Sequence, residues 1–286
     1  MKNTQIRNLD HVVLPVPNLE ITRERFTQLG FTVAPDARHN FGSENACVFF
    51  ENGTFIEPLA IGHRETVEAN MVKGNTFLRR DAAYRFRHGE DGFSCVVLGE
   101  PDPKKIRKQF KKAGYETGKM VVVKRPGVKV NIAFIMDQRA PDCSFFMCER
   151  PDGPPKFAAE MTGHANGATG ISRVTLHEHL PEDFQYYMQV ASEQREVRSH
   201  SFGMDMELPN ATLTTLNDDG MRAFYGEDNL PKSRGLRAMA FDVSVQSLDT
   251  IKNILKKNQI EAKMIGARLV VKPASGQGAI LAFVEG

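Results

Sequence analysis

Four times along this chain an apolar strand-like segment is followed by an amphipathic helical stretch and then by more strand-like segments. The openings are residues 9–14, 93–98, 171–176 and 236–241. A supersecondary unit repeated in this way constrains the architecture before any single residue is interpreted, because such a unit buries its apolar face only against a neighbour. Each unit reads β-α-β-β-β. The first runs through a strand at 9–16, a helix at 20–29 and strands near 32–34, 46–51 and 54–61. The second has a strand at 93–98, a helix at 104–113 and strands near 119–124, 129–137 and 143–149. The third has a strand at 171–180, a helix near 182–190 and strands at 201–208, 211–217 and 221–225. The fourth has a strand at 236–245, a helix at 249–258 and strands at 261–265, 267–272 and 279–285.

Local signals support these boundaries. Gly30 and Gly114 stand just past two helices, where the left-handed backbone that ends a helix favours glycine. Pro101-Asp102-Pro103 reads as a helix start, and Asn52-Gly53 as a hairpin turn. Asn217-Asp218-Asp219-Gly220 reads as a turn between strands. One unit is too small to cover both faces of its own sheet, so four units imply two paired halves. The expected fold is α+β, four βαβββ units pairing into two cup-shaped mixed sheets. The expected halves are 1–155, with units at 8–61 and 92–150, and 165–286, with units at 169–226 and 235–286. Residues 151–169, rich in Pro and Gly, read as the boundary. Residues 63–91 read as a long, charged, partly helical linker between units one and two. The sequence leaves open whether units pair within a half or across halves.

At 286 residues, with 41% hydrophobic and 25% charged residues, the chain has the balance of an ordinary globular protein. A net charge of +2 argues against nucleic acid or a membrane as partner. No stretch approaches the roughly 20 apolar residues of a membrane span, and residues 1–8 lack the apolar core of a signal peptide. A cytoplasmic location is expected. Cys47, Cys95, Cys143 and Cys148 show no CxxC spacing and read as buried thiols. GxGxxG, P-loop and GxSxG patterns are absent, which removes support for nucleotide-dependent and serine-hydrolase readings.

The opening Leu9-Asp10-His11-Val12-Val13-Leu14-Pro15-Val16-Pro17-Asn18-Leu19, within this unit plan, resembles the vicinal oxygen chelate superfamily. That superfamily includes glyoxalase I, extradiol dioxygenases, epimerases and the bleomycin- and fosfomycin-resistance proteins. Gly30-Phe31-Thr32-Val33, Ala37-Arg38-His39-Asn40 and Glu44-Asn45-Ala46 are similar to the first unit of its two-half glyoxalase-like proteins. His164-Ala165-Asn166-Gly167-Ala168-Thr169-Gly170 resembles their connection between halves. The resemblance implies a glyoxalase/bleomycin-resistance/dioxygenase-type fold that hosts many chemistries.

Strand alternation puts Val12, Leu14 and Val16 under the helix and His11, Val13 and Pro15 on the other face. In the superfamily an imidazole on a unit's opening strand and a carboxylate on its closing strand bind a divalent metal. His11 and Glu57 match those positions, and in the partner unit Cys95 and Glu149 do. The resemblance therefore implies a metal set of His11, Glu57 and Glu149, suited to Fe(II), Mn(II), Zn(II) or Ni(II). Cys95 departs from the expected donor. In the second half Arg173, Ala238 and Tyr225 depart at three positions and Glu285 alone remains, so that half reads as structural, or as a pocket where Arg173 pairs with a ligand carboxylate.

His39, in a loop near Asn45, reads either as a general acid or base or as a solvated histidine. Phe55, Cys95, Asn45, Met147 and Arg173 are the candidate substrate contacts. His177-Glu178-His179 puts two histidines on one strand face, readable as chelators or as exposed strand-end residues. Arg79, Arg80, Arg85 and Arg87 mark a helical cover over the first half that offers arginines to an anion. One expected function is a metal-dependent lyase, isomerase or dioxygenase acting on a carbonyl or on adjacent oxygens. The rival is a metal-free small-molecule binding protein with a cup lined by Phe55, Phe93 and Met147. A homodimer is left open.

Overall fold

The computed structural model describes residues 5–125 and 127–286. Its first sheet has nine strands. They are β1 (Leu9–Pro15), β2 (Ala37–Arg38), β3 (Ser43–Asn45), β4 (Val48–Phe49), β5 (Phe55–Ile61), β6 (Cys95–Glu100), β7 (Val121–Arg125), β8 (Val128–Ile135) and β9 (Ser144–Glu149). Four helices accompany them: α1 (Leu19–Gln28), α2 (Arg64–Val72), α3 (Thr76–His88) and α4 (Pro103–Lys112). A short α5 (Ala159–Thr162) lies in the connection to the second half.

The second sheet has eight strands. They are β10 (Ala168–His177), β11 (Arg198–His200), β12 (Gly203–Glu207), β13 (Thr212–Leu216), β14 (Arg237–Val245), β15 (Lys263–Ile265), β16 (Arg268–Val271) and β17 (Ile280–Glu285). Its helices are α6 (Gln185–Ser192), α7 (Asp218–Tyr225) and α8 (Leu248–Lys257).

The pairing left open by the sequence is settled within each half. Opening strands β1 and β6 meet antiparallel at the centre of the first sheet, and each pairs in parallel with its own closing strand, β5 or β9. The second sheet repeats this with β10 and β14 at the centre and β13 and β17 beside them. The fold is therefore α+β, with two cup-shaped mixed sheets.

Alternation gives each sheet a back face and a concave face. Val12, Leu14, Val96 and Leu98 on one back, with Val174, Leu176, Phe241 and Val243 on the other, join one core. Helical residues Phe26, Ile106, Phe110, Tyr187, Ile251 and Leu255 fill it. Phe93 meets Phe241 edge-on at 5.9 Å between centroids, so the two backs are in contact. Each helical residue of this core recurs at the three-to-four spacing that makes one apolar stripe.

On the concave side of the first sheet the linker forms α2 and α3, whose Val67, Phe77 and Leu78 pack on Val13, Val97, Phe134 and Phe146. The second cup receives α7 through Met221 and Tyr225. This corrects the expectation of a strand at 221–225. Asn217 caps α7, its side chain accepting from Gly220 N at 2.9 Å, so the expected turn at 217–220 begins a helix. Near 182–190 a 3-10 turn, Pro181–Phe184, leads into α6.

Gly30 has φ +85° directly after α1, as its position predicted, and Asn166 packs against it. A Cβ there would stand 2.9 Å from the Asn166 Cβ. Asn166 N donates to Gly30 O, and its side chain donates to Leu29 O. His164 is similarly committed, with Nδ1 accepting from Thr32 N and Nε2 meeting Phe49 O at 3.0 Å each. The 164–170 segment is thus a staple between the halves. No helix among the described residues is long and apolar enough to cross a membrane.

Candidate functional site

Parallel register between β1 and β5 places His11 opposite Phe55 and Val13 opposite Glu57. His11 and Glu57 are thus diagonal neighbours on the concave face, and His11 Nε2 lies 3.2 Å from Glu57 Oε2. The β1–β6 pairing slips between Leu9 and His11. Asp10 beside that irregularity brings its Oδ1 to 2.5 Å from His11 Nδ1. Arg150 donates to both Asp10 oxygens, at 2.6 and 2.9 Å. Beyond Glu57 the chain of contacts continues through Asn45, whose Nδ2 donates to Glu57 Oε1, to His39, whose Nε2 lies 3.6 Å from the same oxygen. His39 Nδ1 meets Ser43 Oγ at 2.9 Å, and Arg125 reaches His39 Nε2 at 3.0 Å.

A single polar line therefore crosses the cup, from Arg150 through Asp10, His11, Glu57, Asn45 and His39 to Arg125. His11 is 4% exposed and Glu57 6%. At that burial an unpaired charge would be prohibitive, so the pairing fixes the protonation states. Burial opposes charging of His11, but its bonds to Asp10 and Glu57 outweigh this and raise its pKa. Burial likewise opposes ionisation of Glu57, and His11, His39 and Asn45 overcome it, holding the carboxyl down to about 2. His39 goes the other way: burial dominates, with Arg125 adding to it, and lowers its pKa to about 4. Near neutral pH the line holds an imidazolium between two carboxylates and a neutral imidazole at its end.

Arg125 is the cation left over. Among the described residues no carboxylate lies within salt-bridge distance of it, and its Nε is buried without a partner. The arginines singled out from the sequence on this cover are otherwise engaged, Arg79 with Met71 O at 2.8 Å. Arg80 holds Ala140 O, Pro141 O and Ser144 Oγ; Arg85 holds the carboxylates of Asp81 and Glu90 and the carbonyls of Val16, Leu59 and Glu90; Arg87 holds Asp142 and Pro141 O. Those side chains fasten the cover rather than offering a charge to a ligand. Beneath it a void of about 10 Å³ between Phe77, Tyr84 and Cys95 has room for about one water.

The structure brings together five of the residues singled out from the sequence: His11, Glu57, His39, Asn45 and Phe55, which stacks on His11 at 4.2 Å. Cys95 also faces the cup, among apolar neighbours, and burial raises its thiol to about 12. Glu149 does not join them. On β9, Phe146 and Cys148 face the cup, so Glu149 points to the other side, where its Oε2 accepts from Asn131 N and Nδ2. Met147 and Phe93 sit in the back-face core and line no cup. Arg173 lies on the second sheet, bound to Asp205 at 3.0 Å. The position there that corresponds to Glu57 is Thr214, not Tyr225, because Thr175 pairs with Thr214 as Val13 pairs with Glu57.

Sequence reasoning missed Asp10, Arg150 and Arg125. A charge at position 10, inside an otherwise apolar strand, was the available signal for the first. The other two depend on where β9 ends and on how the β7–β8 hairpin curls over His39.

The glyoxalase-like domain family matches residues 9–189, and the chain belongs to that family. No curated protein matches the chain in sequence. Among solved structures, a hypothetical protein from Staphylococcus aureus is similar at TM-score 0.68 and 12% identity, over 98% of this chain and 100% of that one. A mutant of 4-hydroxymandelate synthase from Streptomyces coelicolor gives 0.63 and 12%, over 99% and 93%. The Mn(II)-bound glyoxalase from Novosphingobium aromaticivorans gives 0.60 and 10%, over 98% and 82%. At such identities these likenesses establish the fold, shared with glyoxalase and 4-hydroxymandelate synthase.

The family resemblance implies a metal at His11 and Glu57. An imidazole nitrogen and a carboxylate suit a divalent transition ion, but a site with open positions needs about three protein donors. With Glu149 turned away, the first cup lacks its third. Among the described residues the group of three His, Cys, Asp or Glu donors within 4.8 Å of one another is His177, His179 and Asp218, on the second sheet. The first cup thus fits the ion's chemistry and not its donor count.

Proposed function

We propose that the protein is a glyoxalase-like small-molecule enzyme, an isomerase or lyase, acting on an anionic substrate that carries a carbonyl or two adjacent oxygens. The observation behind this reading is the buried line Asp10–His11–Glu57. Asp10 orients the ring and favours its charged form, so His11 Nε2–H serves as a donor to a substrate oxygen. A substrate oxygen entering between His11 and Glu57 would part the ion pair. Glu57, no longer neutralised by the imidazolium, then becomes basic enough to accept a proton from the carbon next to the one that bears that oxygen, the C–H electron pair moving onto the oxygen as an enolate. Negative charge developing on the oxygen would be met by His11 in a site shielded from water. Arg125, the uncompensated guanidinium on the same side, would pair with the substrate's anionic group. Oxygenase chemistry would call on a redox metal, for which this cup offers two donors.

The test is solvent exchange of the C–H next to the carbonyl or carboxylate carbon (C3–H of a 2-oxo acid, C2–H of a 2-hydroxy acid), followed by NMR in D2O over a panel of such acids. Exchange on at least one compound is expected to fall by about 10²–10⁴ in His11→Gln and Glu57→Gln, with Arg125→Gln raising KM. Exchange unchanged in Glu57→Gln would end the proposal. A second reading, a metal-free binding protein, draws on the closed His11–Glu57 pair and its near-complete burial. It calls for saturable thermal stabilisation by one of these acids, insensitive to chelator and without exchange.

A further inference from the structure

We propose that His177, His179 and Asp218 form a binding site for one divalent transition-metal ion at the rim of the second cup. This site is separate from the His11–Glu57 centre, and it stands or falls independently of the reaction proposed there.

The topology makes the site. β10 and β13 run in parallel with His177 opposite Leu216, and Glu178 N continues the pairing to Leu216 O. The end of β10 therefore lies beside Asn217 and the first turn of α7, where Asp218 stands. His177 ends β10 and His179 follows it by two residues, and both rings turn toward Asp218. Glu178 between them turns away, held by Arg234 and by Gly235 N at 2.6 Å.

Both imidazoles aim at one point. His177 Nε2 lies 2.9 Å from Asp218 Oδ1, and His179 Nδ1 lies 2.7 Å from that same oxygen. The rings are 5.3 Å apart and nearly perpendicular, so two ring nitrogens converge on one carboxylate oxygen without the rings competing for space. His177 is fully buried, and its remaining nitrogen, Nδ1, has no partner. The side chains of His179 and Asp218 are 28% and 35% exposed, which leaves one side open for an ion to enter and for further ligands.

Two nitrogens and one carboxylate select Zn(II), Co(II), Ni(II) or Mn(II) over Mg(II) or Ca(II), which prefer oxygen. Bonds of about 2.0–2.1 Å in a tetrahedral site put ligand atoms roughly 3.3 Å apart. The present contacts would open by about half an ångström, a movement available to a side chain as exposed as Asp218.

Zn(II) and Co(II) titrations of chelator-treated full-length protein test this, read by bound-metal stoichiometry and, for Co(II), by the visible absorption of a low-coordinate ion. One ion per chain is expected, with affinity at least tenfold weaker in His179→Ala and in Asp218→Asn. Both altered side chains are partly exposed, and a melting profile checks that each variant folds. His11→Gln and Glu57→Gln should bind the ion like wild type, even where they abolish exchange. No binding by wild type, equal binding by His179→Ala and Asp218→Asn, or loss of binding in Glu57→Gln instead, would each overturn the proposal.

Discussion

On the first sheet the central strand carries His11 to the concave face; on the second the corresponding position carries Arg173. Both cups then bury charge against charge under a helix, but with different partners. In the first, His11 lies between Asp10 and Glu57. In the second, Asp242 accepts from Arg268 and from Tyr225 at 2.8 Å each, and Arg173 bonds Asp205 at 3.0 Å. A guanidinium stays charged at every accessible pH and cannot pass a proton, whereas an imidazole can. The first cup also keeps a cation, Arg125, without a carboxylate, while the arginines of the second are all answered. The same frame therefore yields a centre equipped for proton transfer on one side and a fixed ionic clasp on the other.

The largest effect that would break this contrast comes from the clasp. Asp242→Ala strips Arg268 and Tyr225 of their buried acceptor and should cost about 3–5 kcal/mol in urea unfolding. Binding and exchange in the first cup should persist in the folded protein. A loss below about 1 kcal/mol would mean the second cup is not held by its charges.

Next comes acid sensitivity of the first cup. His39 has a folded pKa of about 4 against roughly 6.5 when unfolded. The unfolded chain thus takes up the proton first, so stability is full above pH 6.5 and falls as pH drops toward 4. The loss from this group approaches about 3 kcal/mol. His39→Gln should flatten that limb of the stability profile. Glu57, held down to about 2, would contribute its own loss only at lower pH.

Smaller still is a comparison of the two covers. Asn75 caps α3 by accepting from Leu78 N, and Asn217 caps α7 while also donating to Ser201 O. Asn75→Ala should cost about 1 kcal/mol and Asn217→Ala somewhat more, from the additional bond. At the bottom of the scale, Arg222→Ala removes an exposed pair with Asp219 and should change stability by no more than about 0.5 kcal/mol.

The repeated β-α-β-β-β pattern and the helices ended by Gly30 and Gly114 were legible in the chain, and the family resemblance implied that His11 and Glu57 meet. Periodicity is a local property: a strand's faces alternate and a helix's stripe recurs whatever lies opposite. Asn217-Asp218-Asp219-Gly220 shows where local reading stops, since a turn and a capped helix begin with the same residue types. Four decisions belonged to tertiary structure. They are the turning away of Glu149, the recruitment of Asp10 and Arg150 behind His11, the placing of Arg125 over His39, and the meeting of His177, His179 and Asp218. Each depends on strand register and on where an element ends, and one residue of slip moves a side chain to the opposite face. Sequence determined which residues could carry charge into a cup; packing of one unit against the next decided which of them meet.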